Sequence, residues 1–143
     1  PDVSPHNLLS MAFAALETGN MPQIFGDDYD TPDGTCIRDY IHVADLAKAH
    51  VSAAKRMDEG QSIERAYNLG GGTGTSVLEM MTAISEVTGI AFTPEVSPRR
   101  AGDPARVVAS GDLASRDLGW AMGHSLEEMI GSAWSARKSV QTI

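Results

Sequence analysis

Helix-forming segments alternate with short strand-like runs along this sequence, and this order limits the folds that it can adopt. Two helices begin with a capping box, in which an N-cap serine is followed three residues later by glutamate: Ser76 with Glu79, and Ser125 with Glu128. Helical spacing of apolar residues and a glycine at the end indicate three more helices. The sequence therefore predicts helices over 4–19, 43–60, 76–89, 112–119 and 125–138.

Strand-like runs, rich in β-branched and aromatic residues, occupy the intervals between these helices. They are predicted at 24–25, 35–41, 66–69, 90–96 and 106–109. Interleaved strands and helices are typical of a mixed α/β fold, which is the fold class that we expect. With 143 residues, of which 42% are hydrophobic, the chain has the size of one domain and can bury a core.

The first and second predicted helices carry the clearest local signals. Ser4 is placed to cap the first helix, and Pro5 suits its first helical position. The second helix shows apolar residues at helical spacing along one face, and His50 falls on that stripe, where we expect it to be packed and hydrogen bonded. The stripe consists of Val43, Leu46, Ala47, His50, Val51, Ala54 and Met57.

The charge balance excludes several classes of partner. Nineteen acidic and eleven basic residues give a formal net charge of −8, which argues against binding to nucleic acid or to anionic membranes. No apolar run approaches the ~20 residues of a membrane-spanning helix, and no signal-peptide pattern is visible. A start at Pro1 resembles an internal cut. The lone Cys36 is predicted to be a core residue in a protein of the reducing cytoplasm.

Three patterns that could indicate a ligand site do not match their templates. The cluster Gly70–Gly74 lacks both the Gly-x-Gly-x-x-Gly spacing and a P-loop lysine, so it predicts a strand-to-helix turn whose helix end can still offer N–H groups to an anion. In a calcium loop that began at Asp28, Pro32 would occupy the fifth position, which supplies a ligand, and Asp33 would occupy the position that requires glycine. The acidic run therefore favours a solvated turn. The histidines and the cysteine show no metal-ligand spacing.

The arginines are the more informative signal. Arg38 lies in a strand-like segment, and Arg99 and Arg100 lie in a loop bounded by proline and glycine. Guanidinium groups bind phosphate oxygens in a bidentate manner, so Arg38 and Arg100 could form a phosphate pocket within an acidic protein. The alternative is that they form surface salt bridges with Asp39 and Asp103.

Four segments carry a specific resemblance that covers nearly all of the chain. They are the run 24–47 with its Arg38-Asp39-Tyr40 centre, Tyr67–Gly70 followed by Ser76–Leu78, the loop 99–104, and Leu118–Trp120. These segments resemble the UDP-glucose 4-epimerase family of the extended short-chain dehydrogenases. The match is to the C-terminal portion alone, in a family whose members are more than twice as long.

The resemblance implies which part of the family fold binds each ligand. An N-terminal Rossmann domain binds NAD, the C-terminal part binds the UDP-sugar, and a Tyr-x-x-x-Lys pair moves the proton while a hydride is exchanged at sugar C4. Residues four positions beyond Tyr29, Tyr40 and Tyr67 are not lysine. We therefore expect 1–143 to be the UDP-sugar-binding portion of an NAD-dependent isomerase of galactose metabolism. It should be inactive alone, with no catalytic, cofactor-binding or metal-binding residue of its own.

The resemblance also implies which residues contact the nucleotide-sugar. Arg38 and Arg100 would neutralise the diphosphate, Asp103 would accept from ribose hydroxyls, and Phe25 would pack beside uracil. At Val107 some relatives carry a bulky tyrosine, so a small side chain there would leave room for an N-acetyl group at sugar C2. The full predicted set is Asn7, Leu8, Gln23, Phe25, Arg38, Val77, Arg100, Asp103 and Val107.

The resemblance carries one consequence for assembly and leaves two alternatives open. Residues 43–69 would pack on the Rossmann domain, so in its absence their exposed apolar surface predicts a homo-oligomer. One alternative is a nucleotide-sugar decarboxylase or dehydratase of the same superfamily, against which the long run around Arg38 argues. The other is a stand-alone nucleotide-sugar binding module without catalysis.

Overall fold

The computed structural model describes residues 7–141, and it has the α/β composition that the sequence predicts. Its five helices are α1 (Leu8–Glu17), α2 (Val43–Asp58), α3 (Val77–Thr88), α4 (Asp112–Leu118) and α5 (Leu126–Gln141). Its five strands are β1 (Gln23–Phe25), β2 (Ile37–Arg38), β3 (Thr75–Ser76), β4 (Glu95–Ser97) and β5 (Arg106–Val107).

The strands form two small sheets. In one, β1 pairs with β4 in parallel, and Ile24 is in register with Val96. In the other, β2 lies between β3, which is antiparallel to it, and β5, which is parallel to it. In this second sheet Arg38 is in register with Thr75 on one side and with Val107 on the other. Both sheets pair segments that are far apart in sequence.

The strand predictions were only partly correct. Residues 66–69 do not form a strand, because the side chains of Tyr67 and Leu69 pack against α2 and α4 instead of entering a ladder. Strand β4 begins only at Glu95, and β2 and β5 are each two residues long. The chain next to 66–69 makes a single bridge, between Gly71 and Ser110.

Local helix signals are confirmed where they fall on described residues. The capping box at Ser76 is complete, since its hydroxyl accepts from the N–H of Glu79 and the Glu79 carboxylate accepts from the N–H of Ser76. Gly89 and Gly119 end α3 and α4 in the left-handed conformation, with φ of 70° and 64°. Ser4 and Pro5 lie outside the described residues, and the described helix α1 begins after the N-cap Asn7.

Two hydrophobic clusters organise the fold. The first, which we call the α1–α3–α5 core, joins those three helices with β1. The second, the α2–α4 cluster, packs Ala49 of α2 against Ala114 and Leu118 of α4 and against Trp120. The fully or nearly buried members of the α1–α3–α5 core are Ala12, Phe13, Ile24, Met80, Met81, Ala83, Ile84 and Ile130.

The apolar stripe predicted on α2 is on its exposed side. Val43, Leu46, Val51 and Met57 are 74%, 41%, 53% and 64% exposed. His50 is likewise exposed rather than packed, although its Nδ1 lies 2.8 Å from the carbonyl oxygen of Leu46. The helix therefore presents an extended apolar face to solvent, and it is anchored to the rest of the fold through its opposite side.

A buried carboxylate makes that anchor. Asp45, fully buried, accepts hydrogen bonds from the N–H groups of Gly123 and His124 at 2.9 and 3.0 Å and from Nζ of Lys48 at 3.1 Å. Its carbonyl accepts from Nε1 of Trp120 at 2.7 Å. Burial would raise the pKa of the Asp45 carboxyl, but these hydrogen bonds outweigh it and hold that pKa well below its usual range.

Candidate functional site

A cleft of about 320 Å³ lies between α1, β1, β2 and the loop that carries Arg100. Its apolar floor comes from one face of α1, whose lining residues Leu8, Met11, Ala12 and Ala15 follow helical spacing. Most of the residues predicted from the sequence to bind a nucleotide-sugar line this one cleft. They are Leu8, Gln23, Phe25, Arg38, Val77, Arg100 and Asp103.

Arg38 is held in the wall of the cleft by its own strand. It lies in β2, and its Nη1 donates to the carbonyl oxygen of Ile37 at 2.9 Å. Its Nη2 is 3.8 Å from Oδ1 of Asp103, a separation at which charge attraction matters more than hydrogen bonding. The expected alternative pairing with Asp39 does not occur, because the Asp39 carboxylate accepts from the N–H of Ala109.

Arg99 and Arg100 are adjacent in sequence but have different surroundings. The guanidinium carbon of Arg100 lies 3.8 Å from the centroid of the Phe25 ring. Arg99 stacks at 4.1 Å over Tyr29 and donates through Nε to Asp28 at 2.5 Å. The hydrogen bond from Arg99 lowers the pKa of the exposed Asp28 carboxyl. Arg99 thus binds the loop, while Arg100 lines the cleft.

Sequence reasoning did not identify Tyr40 and Cys36 as lining residues. Both border the cleft together with Arg38, and the three occupy alternate positions, as residues on one face of an extended strand do. That alternation was the signal available in the sequence. Burial raises the pKa of Tyr40 to about 12, against the opposing influence of Arg38, so the phenol is neutral at physiological pH. Cys36 is a buried free thiol, as expected.

Two predicted site residues lie outside the lining of the cleft. Asn7 caps α1, and its Oδ1 accepts from the N–H of Leu9 at 3.1 Å. Val107 is exposed in β5, directly beside Arg38 in the ladder. Both residues lie next to the cleft, because Asn7 precedes Leu8 in sequence and Val107 is paired with Arg38 in the sheet.

The acidic loop before β2 is tied to the start of α3 and is not a plain solvated turn. The Asp33 carboxylate accepts from both the N–H and the hydroxyl of Thr35, and also from the hydroxyl of Ser76. Burial opposes ionisation of Asp33, but these bonds lower its pKa overall. The N–H groups of Val77 and Leu78 donate to Cys36 O and to Thr35 Oγ1.

These bonds correct the expectation that the α3 N-terminus can offer N–H groups to an anion. The first three N–H groups of α3 are all used within the protein, the third being bonded to the Ser76 hydroxyl. Two glycines of the cluster are also closely packed: a Cβ on Gly70 would lie 2.4 Å from Ala109 O, and one on Gly74 would lie 2.5 Å from a Val108 methyl, whereas a Cβ on Gly72 would have no atom within 4 Å. These residues therefore do not fit the pyrophosphate of a dinucleotide.

The described residues show neither a metal-binding cluster nor a membrane-spanning helix. Among residues 7–141, no group of three or more histidine, cysteine, aspartate or glutamate side chains is arranged to hold a metal ion. Within the same range, none of the helices combines the length and the apolar character needed to span a bilayer. The cleft between α1 and β1 offers two guanidinium groups, one carboxylate and an apolar floor.

Known proteins share the sequence pattern and the fold of this chain. Residues 1–70 match the model of the NAD dependent epimerase/dehydratase family. A UDP-glucose 4-epimerase of Corynebacterium glutamicum is 49% identical over 113 residues, which cover 78% of this chain and 34% of that protein. The chain spans little more than a third of the length of this curated relative.

Solved structures agree with the sequence match. A UDP-glucose 4-epimerase from Stenotrophomonas maltophila with bound NAD and formylated UDP-arabinopyranose is 42% identical, with a TM-score of 0.87 over 99% of this chain and 42% of its own. The enzyme from Bifidobacterium longum in complex with NAD+ and UDP is 39% identical, with a TM-score of 0.83 over 97% of this chain and 42% of its own.

The predicted fold class is confirmed by these matches, as is the expectation that the chain represents part of a longer fold. The sequence, the α/β architecture and the comparisons give the same assignment. The chain therefore resembles the C-terminal portion of UDP-glucose 4-epimerases, and its first 70 residues match the model of the NAD dependent epimerase/dehydratase family.

Proposed function

We propose that this chain binds the UDP moiety of a UDP-sugar in the cleft between α1 and β1. The observation that carries the proposal is the convergence of Arg38, Arg100 and Asp103 on one cleft with an apolar floor. Two guanidinium forks match the oxygens of a diphosphate, and an aspartate accepts from ribose hydroxyls. The complexes described for relatives, with UDP or with a UDP-sugar, support this choice of ligand.

The residues at the edges of the cleft have separate roles in this proposal. Leu8, Gln23 and Val77 enclose the nucleoside, and Asn7 adjoins the same wall through its place at the start of α1. Val107, exposed beside Arg38, lies towards the sugar, where its small side chain leaves room for an N-acetyl group at C2. A whole enzyme that converts UDP-glucose but shows no detectable epimerisation of UDP-N-acetylglucosamine would contradict this role of Val107.

The activity that we propose for the whole protein is 4-epimerisation of UDP-glucose and UDP-galactose, in galactose metabolism. NAD would supply the hydride chemistry in such an enzyme. We assign its binding to the part of the relatives that the chain does not span, since the relative solved with bound NAD is covered over only 42% of its length. The chain alone is therefore expected to show no turnover of UDP-galactose when NAD is added.

We also propose that the exposed face of α2 packs on that dinucleotide-binding part. Val43, Val51 and Met57 are each more than half exposed, and the chain spans only about two-fifths of the solved relatives. An apolar face of this kind is normally covered. When the chain is isolated, self-association through the same face is the expected substitute, and it would give a homo-oligomer.

Isothermal titration calorimetry with UDP tests the proposed ligand. Arg38→Ala should weaken binding by about 1.5–3 kcal/mol, the usual contribution of a hydrogen bond to a charged group. Arg116→Ala is the matched control, because Arg116 is exposed, is paired with Asp117 and does not line the cleft. Equal affinities in the wild type and in Arg38→Ala, or an equal loss in both variants, would remove Arg38 from the site.

A further inference from the structure

Phe25 and Arg100 lie against each other in the wall of the cleft. The Arg100 guanidinium carbon lies 3.8 Å from the centroid of the Phe25 ring, well within the range of a cation–π interaction. Phe25 is fixed in β1 by pairing with Ser97 of β4. Strand pairing thus fixes the backbone of Phe25, and the ring face next to Arg100 is covered by the guanidinium.

The contrast with Arg99 shows that this stack is more than loop packing. Arg99 also lies over an aromatic ring, but it is paired with the Asp28 carboxylate, which neutralises its charge. Among residues 7–141, no carboxylate lies within salt-bridge distance of Arg100. The charge of Arg100 therefore remains available to an anion in the cleft that it lines.

We propose that Phe25 is a positioning residue for Arg100, acting on the diphosphate through the guanidinium and not through contact with the base. A cation–π contact uses none of the N–H donors of the guanidinium for another acceptor, so those donors stay free for phosphate oxygens. Holding an otherwise mobile arginine before the ligand arrives reduces the entropy lost on binding. This inference rests on the proposed binding of UDP in the cleft.

A double-mutant cycle with two probes tests the role of Phe25. Uridine carries the base and ribose without phosphate, and UDP adds the diphosphate, so calorimetry of both separates base contacts from phosphate contacts. Phe25→Leu should weaken UDP binding by about tenfold and uridine binding by less than about twofold, as expected for loss of a partly desolvated cation–π contact. Phe25→Tyr, which keeps the ring, should retain wild-type affinity for UDP.

The second arm of the cycle shows whether Phe25 acts through Arg100. In an Arg100→Gln background, Phe25→Leu should cause no further loss of UDP affinity, because the group that Phe25 positions is gone. An equal loss of uridine and UDP in Phe25→Leu, or a full loss in the Arg100→Gln background, would overturn the role and assign Phe25 to the base. Wild-type protein that binds neither ligand would instead refute the proposed function, and this role with it.

The contact between Phe25 and Arg100 can also be measured without a ligand, from the proton chemical shifts of the Arg100 side chain. Ring current from Phe25 should shift the Arg100 side-chain proton resonances upfield in the wild type and in Phe25→Tyr, and the shift should vanish in Phe25→Leu. Thermal unfolding of each variant checks that the fold is retained. Arg100 protons with random-coil shifts in the folded wild type would overturn the proposal, whatever the binding data show.

Discussion

The α1–α3–α5 core and the α2–α4 cluster differ in how completely they enclose their apolar residues. In the first, Met80, Ile84 and Ile130 are 0% exposed, and residues from three helices and a strand surround them. In the second, Ala49 is the sole buried apolar residue of α2, while the larger apolar residues of that helix face solvent. The first region is a finished core, and the second leaves the apolar side of α2 exposed to solvent.

An amphipathic pattern identifies an apolar face of a helix but not what covers that face. Both α2 and α3 show helical spacing of apolar residues in the sequence. In α3 that face lies inside the molecule, whereas in α2 the protein buries the opposite face through Asp45 and Ala49. The α2–α4 cluster therefore depends more on specific hydrogen bonds, and the α1–α3–α5 core depends more on packing.

The largest effect is expected in the finished core. Ile84→Ala should lower the free energy of unfolding by about 3 kcal/mol, because it opens a cavity in a site with no exposure. Val51→Ala removes apolar atoms from the exposed face of α2 and should change stability by less than about 0.5 kcal/mol. Urea denaturation at dilute protein concentration measures both. A similar loss in both variants would mean that the α2 face is covered in the isolated chain.

The second largest effect is expected at the buried carboxylate of the α2–α4 cluster. Asp45→Asn should cost about 2 kcal/mol at neutral pH, because it removes a charged acceptor of several hydrogen bonds. The exposed Asp30→Asn, which changes the net charge equally, should cost little. Urea unfolding of the two variants and the wild type measures the difference.

The same carboxylate should make the α2–α4 cluster sensitive to acid. The pKa of Asp45 is lowered in the folded protein, so its contribution is complete above the unfolded value of 3.8 and is lost as the pH falls from there towards the folded value. Unfolding midpoints measured between pH 5 and pH 3 should fall less steeply in Asp45→Asn than in the wild type. Identical slopes would show that Asp45 does not make this contribution.

Predictability from sequence follows the range of the interactions involved. The capping box at Ser76 and the glycine stops at Gly89 and Gly119 act over a few residues, and these predictions are confirmed. The strands are two or three residues long and depend on partners distant in sequence, so their bounds were wrong. The prediction of free N–H groups at the start of α3 was wrong, because these groups bond to Thr35 and Cys36. Both partners are distant in sequence, so local spacing does not reveal the bonds.

The residues of the cleft that could be predicted were those whose chemistry is unusual for this chain. In an acidic protein Arg38 and Arg100 stood out, and the resemblance supplied the remaining predicted residues. Tyr40 was missed because a tyrosine next to an aspartate in a strand-like run carries no charge signal, although its spacing from Arg38 fits one strand face. The buried role of Asp45 was missed because an acid in the first turn of a helix ordinarily faces solvent.

A third, smaller effect concerns association through the α2 face. Replacing Val51 and Met57 together by serine should weaken self-association by about 1–2 kcal/mol, or roughly tenfold, because it removes apolar area from the contact. Val96→Ser is the control, since Val96 is as exposed as Val51 but lies in β4. Sedimentation velocity over a concentration series measures the change. A wild-type chain that stays monomeric at high concentration would refute the proposed oligomer.

The smallest effects should be the same in both regions, because they arise within the backbone. Gly89→Ala at the end of α3 and Gly119→Ala at the end of α4 should each cost about 1 kcal/mol, since both glycines have left-handed φ values and alanine is strained there. No atom lies within 4 Å of a Cβ at either position, so strain is the sole cost. Thermal unfolding of the two variants should therefore give equal losses.

Gly131→Ala in α5 supplies the matched control for these helix ends. Gly131 lies within a helix, and an added Cβ would make an ordinary contact with Val87 at 3.7 Å. Alanine there should raise stability by up to about 1 kcal/mol, because glycine is the poorer helix former. If Gly119→Ala costs much more than Gly89→Ala, the end of α4 is held by tertiary contacts, and the α2–α4 cluster is more tightly built than its exposed face suggests.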